Sequence, residues 1–206
     1  MSTHARTNGE HLARLAALAD ENAAEVARLV EGLDAARLLW RPSPERWGVA
    51  DCLEHLITTG NAYHPRVRAA VEEALRAGAR DAARDAAPWQ PTWFGRLFLR
   101  AVGPGGRSVR ARGPFVPPPG RVDSAARLLA QQDELRALIA EAHGVDLRTV
   151  RIPSPISRLL SLRLGEAIEM LLLHQRRHLN QAWRVRRASN FPVVRASTGV
   201  TAEIPI

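Results

Sequence analysis

The stretch Leu171-Leu172-Leu173-His174-Gln175-Arg176-Arg177-His178-Leu179-Asn180-Gln181 decides how the rest of the chain is read. Its pattern is helical, and a four-residue step puts His174 and His178 on one face, one turn apart. Two imidazoles at that spacing are able to grip one metal ion. At about 100° per residue, Ala167, Met170, His174, His178 and Gln181 form one stripe, while Arg163, Glu169, Arg176, Arg177, Arg184 and Arg187 fall mostly elsewhere. A stripe shared with alanine and methionine points inward. A buried imidazole has to be hydrogen-bonded or ligated, and two stacked imidazoles repel if both are charged. The pair is therefore either two metal ligands or two satisfied polar residues at the centre of a helical core. Gln175 stands where a helical zinc peptidase carries its glutamate base, which argues against that mechanism.

Working outward from this helix, the spacing predicts three more. The first runs from about Glu10 to Leu33, with Leu12, Leu15, Leu18, Ala19, Val26, Leu29 and Val30 on one apolar stripe and Gly32 and Asp34 at its exit. Leu38 to Trp47 reads as a connection, its prolines stopping helix and Trp40 and Trp47 covering an edge of the core. The second helix begins near Gly48 or Val49, carries Cys52, Leu53, His55, Leu56 and Ile57, and ends around Gly78. Pro65 either kinks it or starts a new helix. The third runs from Asp123 or Ser124 to about His143, with Asp123 as N-cap and Gly144 as the stop. The fourth starts with Ser161 as N-cap and continues to about Ala188.

Ala79 to Arg121 is a long insertion rich in proline, with a short helix expected at Trp93–Arg100. Its aromatic residues cap the end of the helices, line a pocket or meet a partner subunit. Residues 189–206 form a tail that adds a short strand, wraps the surface or stays mobile. Four helices of about twenty residues make an all-α four-helix bundle with one core in residues 10–188, within a single domain spanning 1–206.

Composition narrows the function. Apolar residues make up 46% of the 206 and charged residues 24%, a globular balance. No apolar run approaches the roughly 18 residues that span a bilayer, so no membrane partner is expected and the expected location is cytoplasmic. One cysteine, Cys52, excludes an internal disulfide and fits a reducing compartment. It is either a nucleophile with His55 one turn away or a small buried thiol. The net charge is +8, and every one of the 29 basic residues is arginine. These arginines are scattered among acids except in the Pro- and Gly-rich stretch Arg96–Arg121, so nucleic acid ranks last among partners.

On the second helix, Cys52, His55, Thr59 and Ala62 share a stripe, which makes His55 the third candidate ligand. Three imidazoles from two helices leave open positions on an ion, as a reactive metal requires. His64, nine residues on, falls on the opposite side and is a poor ligand. His4, His11 and His143 read as solvated or capping residues.

Two segments resemble a known family. Trp40 to Leu56, W-R-P-S-P-E-R-W-G-V-A-D-C-L-E-H-L, resembles the tryptophan-rich lead into the second helix of DinB-like proteins. Ser161 to Gln181, with its H-x-x-x-H-x-x-Q ending, resembles their closing helix. One departure is Gly48, where a serine usually follows the tryptophan. The resemblance covers about Glu10 to Arg187. It implies an up-down-down-up bundle, often dimeric, with a divalent metal, commonly nickel or zinc, on His55, His174 and His178. Gln181 then contacts a ligand or the substrate. Family members with assigned chemistry use a low-molecular-weight thiol, so the implied activity is a thiol-dependent S-transferase, or hydrolysis by activated water, on a small-molecule substrate. The alternative is a non-catalytic helical module that dimerises or binds a ligand.

Overall fold

A computed structural model describes residues 6–78, 81–106, 111–155 and 160–193. Helix α1, Asn8–Val30, opens with a reciprocal cap: Thr7 Oγ1 accepts from the Glu10 amide at 3.2 Å and Glu10 Oε2 accepts from the Thr7 amide at 2.8 Å. Such a cap stabilises a helix start by about 1 kcal/mol. Gly32, at φ 68°, turns the chain out. The expected connection from Leu38 begins inside a one-turn helix, α2, Ala35–Leu39, capped by Asp34. Helix α3, Val49–Arg76, continues through Pro65, so the proline does not start a new helix. The missing N–H is one hydrogen bond among the many that a helix this long retains.

The insertion contains helix α4, Trp93–Val102, capped by Thr92 Oγ1 at 2.7 Å from the Gly95 amide, and 3₁₀ turns at Ala82–Ala86 and Gly113–Phe115. Helix α5 spans Ser124–Glu141, and Gly144 follows at φ 75°. Asp123 occupies the expected cap position but does not cap: its carboxylate is taken by Arg121 at 2.8 and 3.0 Å. Ser161 is a second correction. It lies in strand β2, Ser161–Arg163, paired antiparallel with β1, Arg151–Pro153, in the register Ile152 opposite Leu162. Helix α6 begins three residues later, at Leu164, and ends at Arg186. Glu166 supplies the cap instead, accepting from the Arg163 amide at 2.9 Å. Its other oxygen holds Thr92 through both amide and hydroxyl, at 2.6 and 2.7 Å, which anchors α4 to the start of α6. The described part of the tail packs back: Phe191 meets Trp40 edge-on at 5.3 Å. Residues 194–206 lie outside the described residues.

The four long helices pack in the ring α1, α6, α3, α5. Their apolar interior is not one core but two clusters. One holds Leu12, Leu15, Val67, Val71, Leu135 and Leu171, and the other Val26, Leu29, Leu53, Leu56, Leu128 and Leu179. Helices α1 and α6 run from the first cluster to the second, and α3 and α5 run back. Between the clusters every helix contributes polar groups. Asn22 donates to Gln175 Oε1 at 3.1 Å and to the Leu172 carbonyl at 3.0 Å; Gln175 donates to Gln132 Oε1 at 2.8 Å. Gln131 donates to the Ile57 carbonyl and to Asn61, and a Cβ on Gly60 would lie 2.1 Å from its Oε1. Buried amide N–H groups that find acceptors on neighbouring helices tie those helices together at this level. This layer also sets the depth at which His55, His174 and His178 stand.

Candidate metal centre

The three histidines that the sequence singled out meet. His55 reaches in from α3, and His174 and His178 from successive turns of α6. One ring nitrogen from each lies within 4.8 Å of the other two. His55 Nε2 and His174 Nε2 are 3.0 Å apart, and the rings of His174 and His178 meet edge-on at 4.5 Å.

Their outward nitrogens have partners. His55 Nδ1 lies 2.8 Å from the Phe115 carbonyl, and His178 Nδ1 3.0 Å from Gln181 Oε1. The Val102 backbone hydrogen-bonds His174. A carbonyl only accepts, so His55 Nδ1 donates and its Nε2 keeps a lone pair aimed at the other rings; Gln181 does the same for His178. Two ring nitrogens 3.0 Å apart are accommodated either by one shared N–H or by a cation between them. Two nitrogens about 2.1 Å from one ion and at right angles around it are about 3 Å apart, so the donor set fits a divalent transition metal.

Burial holds the rings neutral. It is the largest cause in each case, pushing His174 down to about 3 and His178 to about 2, with the neighbouring imidazoles adding repulsion; His55 is lowered too, against the opposing pull of Phe115. Neutral imidazole is the ligating form. Among the described residues no carboxylate pairs with these rings.

The site forms the floor of a cavity of about 1600 Å³, larger than the roughly 300–1,000 Å³ of ordinary small-molecule pockets. The insertion supplies much of its wall, through Phe94, Phe98 and Phe115. Asp51, at the start of α3, ties down the chain five residues after Phe115. The buried Asp51 carboxylate accepts from Arg41 at 2.7 and 2.5 Å, from the Gly48 amide at 2.8 Å and from the Gly120 amide at 3.0 Å. Gly48 itself is required: a Cβ there would lie 2.1 Å from the Trp40 carbonyl oxygen. Trp47 packs on the site, 4.9 Å from the His55 ring and 5.8 Å from His178. The spacing of residues gave no sign of Asp51, Phe115 or Trp47 as neighbours of the histidines. Two tryptophans close to a helix start were the nearest signal.

The other histidines stand apart. His64 is buried on the far side of α3 beside Glu134, at 3.2 Å. His143 bonds Asp85 at 3.0 Å on the surface, and His4 lies outside the described residues. His11 is neither solvated nor capping: it is fully buried, stacked on Trp89 at 4.4 Å, and burial pushes it down to about 3. Cys52 is also fully buried, and burial raises its thiol far above the ordinary range, which leaves it a packing residue.

The sequence model of the DinB superfamily matches residues 17–182. The chain belongs to the DinB superfamily. The match spans α1 to α6 and so includes all three histidines and the insertion. No curated protein and no solved structure gives a significant match. Membership of the DinB superfamily and the three-histidine cluster together fit a metal-binding protein of that superfamily. Among the described residues no helix is long and apolar enough to cross a membrane.

Proposed function

We propose that this DinB-superfamily protein is an enzyme that binds a divalent metal, nickel or zinc, through His55, His174 and His178, and activates a low-molecular-weight thiol or water against a small-molecule electrophile. The observation that carries this reading is the convergence of three imidazole nitrogens whose outward nitrogens are already engaged, at the floor of an open cavity. A divalent cation there favours the anion of a bound thiol or water near neutral pH. The all-neutral donor set leaves such a charge uncompensated, which suits an anionic thiolate or hydroxide. The Phe115 carbonyl and Gln181 fix ring orientation and tautomer. Trp47 packs against the His55 and His178 rings, and Gln181, which lines the cavity, is placed to contact the substrate. Bound metal in the purified protein, measured by elemental analysis, is expected near one ion per chain. It is expected to fall several-fold in His174→Ala. Unchanged metal content in that variant refutes the assignment, and thiol-dependent turnover of an electrophile separates S-transfer from hydrolysis.

A second reading, a non-catalytic module that dimerises, draws on Trp93 and Leu97. They stand one turn apart on α4 and are 73% and 54% exposed. Metal-free protein that sediments as a tight dimer favours it; metal with turnover favours the enzyme.

A further inference from the structure

The cavity over the histidines has two unlike ends. Along α6 its lining runs from Met170 to Val185, about 22 Å at 1.5 Å per residue. One end is walled by Phe94, Phe98, Leu160 and Met170. Phe94 and Leu160 are 39% and 45% exposed, and Val116, which also lines the cavity, is 56% exposed. Apolar surface left open in this way is unfavourable until something apolar covers it.

The other end is cationic. Arg46, in the connection before α3, and Arg184, in the last turns of α6, line it, and Arg112 of the insertion lines the cavity as well. All three are exposed, and none forms an ion pair among the described residues. The lining carries five arginines, Arg41, Arg46, Arg112, Arg177 and Arg184, against two acids. Asp51 is saturated by Arg41 and two backbone amides, and Glu45 accepts from Ser43 at 2.9 Å. Arg184 lies six residues beyond His178 and ten beyond His174, about 9–15 Å along the helix axis.

We propose that the substrate bound here is an amphiphilic anion. Its aliphatic or aromatic body lies against Phe94, Phe98 and Leu160, and its carboxylate, sulfonate or phosphate group sits between Arg46 and Arg184, on the opposite side of the histidines. The inference rests on reading this cavity as the substrate site and names the class of molecule that it takes. Guanidinium groups recognise such anions through paired N–H donors, while the apolar wall gives affinity in proportion to the area covered.

Calorimetric titration tests it with octyl phosphate, octanol, octyltrimethylammonium and inorganic phosphate, the charged octyl compounds kept below their micellar concentrations and octanol below its solubility limit. Octyl phosphate is expected to bind at least about tenfold tighter than octanol or inorganic phosphate. Octyltrimethylammonium is expected to bind no better than octanol. The double variant Arg46→Ala/Arg184→Ala loses that tenfold preference and keeps octanol affinity; Leu160→Asp, at an exposed position that leaves the core intact, weakens both octyl compounds. The same titrations on chelator-stripped protein keep this inference separate from the metal assignment, because the preference for octyl phosphate persists without the ion. Equal affinity for octyl phosphate and octanol, or no saturable binding of either, overturns the proposal even if the metal content is as expected. An unchanged preference in the double variant overturns the role of Arg46 and Arg184.

Discussion

Replacing Asp51 with alanine tests how the insertion is tied to the metal centre. The carboxylate is buried and accepts four hydrogen bonds: two from Arg41, and one each from the Gly48 and Gly120 amides. Breaking a buried charged pair typically costs about 3–5 kcal/mol. Here the Arg41 side chain is 40% exposed and regains water, so its share is the smaller one. The larger cost falls on two amides left without an acceptor, at about 1–3 kcal/mol each. The expected total for Asp51→Ala is about 3–4 kcal/mol. Asp51→Asn keeps one acceptor oxygen and should lose about half of that. Arg41→Ala leaves both amide bonds in place but strands the buried carboxylate without its cation, and should cost about 2–3 kcal/mol. Urea denaturation at constant m-value reads all three. A local effect should accompany the global one. Gly120 lies five residues after Phe115, whose carbonyl orients His55, so Asp51→Asn should weaken metal binding by about tenfold under conditions where the fold is intact. An Asp51→Ala variant within about 1 kcal/mol of the parent defeats the stability reasoning, since even one stranded amide should cost that much. An Asp51→Asn variant with parental metal affinity defeats the link to His55.

Other outcomes follow from particular contacts. Gly48→Ser should destabilise the protein by about 1–3 kcal/mol although serine is the better cap, because a Cβ would overlap the Trp40 carbonyl and a serine cap gains only a few tenths over glycine; a raised midpoint in urea contradicts this. Cys52 should resist thiol reagents at pH 8 in the native protein and react once unfolded, since its thiol is fully buried with its pKa raised; stoichiometric labelling of the folded chain rules this out. His11 is held down at about 3 against 6.5 for an unperturbed imidazole. The unfolded chain therefore takes up that proton first, and stability is flat above pH 6.5 and falls by up to about 1.4 kcal/mol per unit between pH 6.5 and 3. His55, His64, His174 and His178 act in the same direction in metal-free protein. Substituting His11 with phenylalanine should remove one proton's worth of slope from stability measured between pH 6 and 4, and an unchanged slope counts against a neutral, buried His11.

The readings that held were those made along a single helix. The four-residue step between His174 and His178, the stripe through Cys52 and His55, and the short helix beginning at Trp93 each follow from the 3.6-residue period. The readings that failed depended on partners outside the helix concerned. Ser161 has the chemistry of an N-cap, yet pairing with Pro153 draws it into a strand. Asp123 has the chemistry of a cap as well, but Arg121 competes for its carboxylate. His11 looked like a surface residue until Trp89, from the insertion, covered it.

By itself, then, the sequence determined where the four long helices lie, which of their faces turn inward, and that three histidines occupy inward stripes on two of them. Local sterics and periodic apolar spacing act within a few residues, and a sequence displays them directly. Tertiary structure alone decided that the stripes face each other at one depth, that a polar layer splits the core there, and that Phe115, Trp47 and Asp51 enclose the site. Those outcomes come from hydrogen bonds and packing between residues that lie dozens of positions apart, such as Asp51 with Gly120 and His55 with Phe115. Contacts of that range leave no period in the chain, because the chain meets itself there only after folding.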